Sequence, residues 1–155
     1  MKPGLVIGLN KKGPGLPQNK KEVMFLERLA NHVTGMGWDV IFEKSVDDCA
    51  TPSKRQVLIN SKKSRKTQLI SLLHEAGHIS LFQSPDYLKR YPFGYFGATK
   101  RHHTYTLRHK IDVMREEIAA WDEAEKIIDR LNIEVNMKDF WDHRNRSLLT
   151  YAECI

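Results

Sequence analysis

Hydrophobic positions along this chain change their period several times, and each change marks an element. Between residues 20 and 35, Val23, Leu26, Leu29, Ala30 and Val33 recur at steps of three and four. That spacing predicts a helix opened by Asn19 and closed near Gly35-Met36-Gly37. Trp38 to Phe42 and Gln56 to Asn60 read as strands. Leu5-Val6-Ile7-Gly8-Leu9 is either a short buried strand or an apolar start before a loop. Lys11 to Pro17 is punctuated by Gly and Pro and reads as irregular, without the residue order of a phosphate-binding loop.

Two longer helices follow. From about Ser64 to Phe82, Leu69, Leu72, Leu73, Ala76 and Ile79 define a core face, and His74, His78 and Ser71 share a neighbouring one. Gly77 in that helix costs about 1 kcal/mol against Ala, which close approach of another element would explain. From Thr106 to about Asn132, Leu107, Ile111, Met114, Ile118, Trp121, Ile128 and Leu131 step down one side. Between the two helices, residues 85–105 are aromatic, broken by Gly and Pro, and too long for a simple connector; they read as a working loop. Beyond Asn136 one or two short helices are expected to pack Phe140, Trp141, Leu148 and Leu149.

Composition narrows the class. The 155 residues suit a single α+β domain over the whole chain, with a helical extension from about residue 133. No segment is apolar and long enough to span a bilayer, and the lysine-rich start does not read as a secretory signal. Cys49 and Cys154 lie far apart without a CxxC partner, as expected of free thiols in a reducing cytoplasm. The net charge of +6 is concentrated in clusters such as Lys20-Lys21, Lys54-Arg55 and Lys62-Lys63-Ser64-Arg65-Lys66. Such a surface can attract nucleic acid or simply keep the chain dissolved, and no nucleic-acid-binding module accompanies it.

The chemistry lies in His74-Glu75-Ala76-Gly77-His78. Residues four apart on a helix share a face, so two imidazoles can grip one metal ion, with Glu75 within reach of a bound water. A catalytic zinc takes three protein ligands and keeps a position open, so a third ligand is required. Glu117 is the candidate, because its helical neighbours Val113, Met114, Ala120 and Trp121 are all apolar. A carboxylate there is costly unless it is paired or binds metal, the alternative being an ion pair with Arg or Lys. Glu116 has Asp112 among its neighbours and can face water.

His74-Glu75-Ala76-Gly77-His78 followed by Glu117-Ile118-Ala119-Ala120-Trp121 resembles the HExGH…ExxAW pattern of small bacterial and phage metallopeptidases. The layout is similar to the ImmA/IrrE family and, more loosely, to gluzincin-type minimal zincins. The resemblance implies a small, mostly antiparallel three-stranded sheet packed on the HExxH helix, and a second long helix carrying the third ligand. It also implies Zn2+ on His74, His78 and Glu117, with Glu75 catalytic, and a protein or peptide as substrate. Trp121 stands where ImmA-like chains more often have Asn, and no helix-turn-helix accompanies the domain. Donors for the oxyanion are sought among Tyr91, Tyr95, Tyr105, His102, His103 and His109. The rival expectation is a basic, zinc-containing protein of phage or bacterial origin that binds a host protein or nucleic acid and cuts nothing.

Overall fold

The computed structural model describes residues 20–95 and 106–153. Leu5 to Leu9, Asn19, His102, His103, Tyr105 and Cys154 fall outside them. Among the described residues the fold is α+β, with five helices and a small three-stranded mixed sheet. Helix α1 (Lys20–Gly35) leads into β1 (Asp39–Glu43), β2 (Cys49–Thr51) and β3 (Gln56–Asn60). Helix α2 (Arg65–Phe82), the single turn α3 (Tyr87–Arg90), α4 (Leu107–Leu131) and α5 (Met137–Ala152) follow. None of the described helices is long and apolar enough to cross a membrane.

The sheet departs from the mostly antiparallel expectation. Its order is β1-β3-β2, with β1 parallel to β3 (Val40 opposite Val57) and only β2 antiparallel to it (Cys49 opposite Leu58). The extra strand explains the difference. Cys49–Thr51 is too short to show alternation and is bounded by Asp48 and Pro52, yet it takes the antiparallel place beside β3. A tight turn joins the two, with Lys54 and Arg55 N–H groups donating to the carbonyls of Thr51 and Pro52, and with Arg55 at φ 50°. Non-glycine residues adopt that left-handed conformation only where a turn demands it.

One core unites α1, the sheet, α2, α4 and α5: Leu29, Val33, Val57, Ile59, Leu72, Ile79, Trp121, Ile127 and Phe140 are all inside it. Helix α2 begins where Ser64 Oγ accepts from the Thr67 N–H (3.2 Å), and α4 where Thr106 Oγ1 accepts from the His109 N–H (3.2 Å). Asn132 closes α4 in the left-handed conformation, at φ 49°. Of the one or two helices expected after Asn136 there is one, longer than expected at 16 residues.

Helix α4 buries part of the stripe expected of it, Trp121 and Ile128 with Leu131 packed against the core, but not its first half. Leu107, Ile111 and Ile118 are exposed, while Val113, Glu116, Glu117, Ala120, Trp121, Ala124, Ile127 and Ile128 face inward. Close approach to α2 selects this face, because its central residues are small. A Cβ on Gly77 would sit 2.0 Å from the Ala120 carbonyl oxygen, so the two backbones touch where α2 lacks a side chain.

Candidate metal centre

The α2–α4 contact brings His74, His78 and Glu117 together. One ligating atom from each lies within 4.8 Å of the others. Glu117 Oε2 is 3.3 Å from His74 Nε2, and Oε1 is 3.3 Å from His78 Nε2. Glu117 is only 1% exposed, and none of the long basic side chains is paired with it among the described ion pairs. Glu75 is buried beside them and lines the same cleft, which has a volume of about 390 Å³. Other walls come from Asp48 to Pro52, Phe82, Tyr95 and Tyr151.

The residues suit a divalent cation. Of the six buried side-chain polar atoms without a hydrogen-bond partner among the described residues, three belong to this cluster: His74 Nδ1, His78 Nδ1 and Glu117 Oε2. A buried carboxylate oxygen that makes no hydrogen bond is unfavourable by on the order of 1–3 kcal/mol, and either a protonated His74, 3.3 Å away, or a cation between it and the two Nε2 atoms would offset that cost. Two imidazoles and one carboxylate also match the donor set of a catalytic zinc site. Metal-binding histidines are commonly oriented by a hydrogen bond at their second nitrogen. Here ring stacking replaces it. His74 lies on Trp121 with ring centroids 4.2 Å apart, and His78 on Phe82 at 5.7 Å.

Electrostatics point the same way. Burial by itself would raise the Glu117 pKa, but the facing imidazoles outweigh it and hold the carboxylate well below the usual range. Burial would lower the His78 pKa, but Glu117 beside it, with weaker pulls from Glu75 and Glu116, raises it. The cluster therefore favours positive charge against a permanent carboxylate.

Glu116 corrects the sequence expectation, for it is fully buried. It accepts the Tyr87 hydroxyl at 2.6 Å on Oε1 and the Tyr95 N–H at 3.2 Å on Oε2. The helix periodicity puts Asp112 among its neighbours, whereas the segment after α3 folds back and covers that side of α4. Residues 91–95 form a strap tied to α4 by further bonds. Phe93 N–H donates to Asp112 Oδ2 (3.0 Å), and the Phe93 carbonyl accepts from His109 Nδ1 (2.7 Å). Gly94 lies against Glu116, since a Cβ there would meet Oε2 at 2.5 Å.

At the end of the strap, the Tyr95 hydroxyl donates to Glu117 Oε1 at 2.6 Å. Tyr151, from the last turn of α5, places its hydroxyl 3.1 Å from that of Tyr95. Burial first, and then the Glu117 charge, raises the pKa of both phenols, so both remain protonated. Among the oxyanion candidates, Tyr95 lines the cleft. Tyr91 is buried in a small cluster with Leu81, Tyr87 and Ala120, and His109 is spent on the Phe93 carbonyl. Tyr105, His102 and His103 lie outside the described residues. Tyr151 escaped the sequence reading because nothing in the spacing of α5 marks one tyrosine as reaching another helix's carboxylate.

Cys49, a free thiol, lines the cleft from β2. Within the basic link that leads from β3 into α2, Lys62 to Lys66, Lys63 pairs with Asp48 and Lys66 with Asp139. Comparison with known proteins finds no matching family model, no similar curated protein and no similar solved structure.

Proposed function

We propose that this chain is a zinc metallopeptidase, with His74, His78 and Glu117 as metal ligands and Glu75 as general base. It would hydrolyse peptide bonds in a protein or peptide substrate. The supporting observation is the buried Glu117, delivered by α4 to within 3.3 Å of both imidazoles of the HExxH helix. Its proposed kinship is with the ImmA/IrrE-like minimal zincins, in which a sheet and two motif helices form the same kind of site. When bound, zinc supplies Lewis acidity, polarising the scissile carbonyl and lowering the pKa of water.

The chain's own residues do the rest. Glu75, buried at the cleft wall, takes the proton from the attacking water and returns it to the leaving amine nitrogen as the C–N bond breaks. Strand β2 is the sheet edge opposite β1, and its residues line the cleft, so an extended substrate can add to the sheet there. A structural zinc would be closed by four protein ligands and would give Glu75 no task. The nucleic-acid alternative is the weaker one, because two lysines of the basic link are already engaged by acidic partners.

Glu75→Gln tests the assignment. The zinc-loaded variant should bind metal as the parent does and cleave a mixed peptide library at least about a hundredfold more slowly, read by mass spectrometry. Equal cleavage by the variant would remove Glu75 from the chemistry.

A further inference from the structure

Both oxygens of Glu117 face the imidazoles at the same distance, 3.3 Å, so the histidines do not favour one over the other. Tyr95 does. Its hydroxyl lies 2.6 Å from Oε1, while buried Oε2 faces His74 Nε2 and has no hydrogen-bond partner among the described residues. Nor is Tyr95 there by the chance of a swinging side chain. Its own N–H is bonded to Glu116, and Phe93 of the same strap is held by Asp112 and His109, so three α4 residues fix the backbone that carries the phenol. Tyr151 stands 3.1 Å behind, where its hydroxyl can donate to the Tyr95 oxygen once the Tyr95 proton points at the carboxylate.

We propose that Tyr95 is a positioning residue that makes Glu117 a one-oxygen ligand. It occupies Oε1 and leaves Oε2 as the oxygen offered to a divalent ion beside His74 and His78. Three protein donor atoms then leave the fourth position to a water or substrate oxygen, whereas a carboxylate binding through both oxygens would crowd that oxygen in a five-coordinate ion. This inference rests on the metal-centre reading and adds to it what sets the number of donor atoms. It assigns Tyr95 no contact with substrate.

The test is the visible absorption of the Co2+-substituted full-length protein. Four-coordinate cobalt absorbs strongly in its d–d bands, because a tetrahedral field mixes d and p character most, and five-coordinate cobalt absorbs more weakly. Wild-type protein should show the strong bands. Tyr95→Phe should bind one equivalent of cobalt with clearly weakened bands, as Oε1 turns to the ion. Tyr95→Leu, which removes the ring as well, should give the same weakened spectrum; a change in Tyr95→Leu alone would assign the effect to packing by the ring and overturn the role of the hydroxyl. Spectra of both variants superposable on the wild type would overturn the role of Tyr95 and leave the metal centre standing. A wild-type protein that takes up no cobalt would overturn the metal-centre reading, and this proposal with it.

Discussion

Gly77 is the residue on which the site's geometry turns. A helix interior gains about 1 kcal/mol from Ala in place of Gly, so propensity alone would make Gly77→Ala stabilising. The Ala120 carbonyl oxygen, 2.0 Å from where the methyl would go, reverses the sign, since backbone cannot rotate away as a side chain can. Gly77→Ala should lower unfolding free energy by about 1–3 kcal/mol in urea titration and weaken metal binding, because the histidines and Glu117 would be pushed apart. An unchanged or raised midpoint would show that α2 and α4 are not in that contact. The sequence allowed this residue to be singled out, since a glycine within a regular helical pattern needs a reason. Glu117 was legible for a similar cause, being a carboxylate with apolar neighbours at every helical step. Glu116 was not, because what satisfies it comes from a segment more than twenty residues away.

Elements were readable as far as their periodicity reached. The bounds of α2 and α4 follow from Ser64, Thr106 and Asn132, whose cap chemistry is local. Along α4 two apolar stripes meet at Trp121 and Ile128, and before that point the neighbour's demand for small side chains chooses the one without Leu107, Ile111 and Ile118. Strand β2 was invisible at three residues. The strap is tied chiefly through backbone groups, which leave no mark in a residue pattern. Glu116→Ala should take the partner from a buried hydroxyl and from the Tyr95 N–H, costing about 2 kcal/mol and speeding amide exchange at Tyr95. Unchanged exchange at Tyr95 would refute the tie.

The approach to β2 is held by Asp48, which accepts the Asn60 N–H at 2.7 Å and pairs with Lys63. Burial opposes ionisation of Asp48, but Lys63 and the Asn60 N–H prevail and hold its pKa below the ordinary carboxylate value. Its contribution to stability is therefore complete above that ordinary value and is lost as pH falls through the lowered one. Asp48→Asn should be less stable than the parent near about pH 6, with the gap narrowing by about pH 3. A gap that stays constant between those two conditions would detach Asp48 from the acid response.

At the scale of the whole molecule, the fold places two motifs some forty residues apart in sequence on adjoining helices that share one core. Neither motif can make the site alone. Zinc that binds only the folded chain should raise its unfolding free energy by about 2.7 kcal/mol when free metal stands at a hundred times the dissociation constant, seen as a higher unfolding midpoint. A chelator should reverse the gain. The convergence itself is tested most directly by zinc stoichiometry after equilibrium dialysis, wild type beside Glu117→Ala, with folding of both checked by circular dichroism. One zinc per chain in the wild type and a loss of bound zinc in the folded variant is the predicted result. Equal zinc in the two proteins, or none in the wild type, would contradict it.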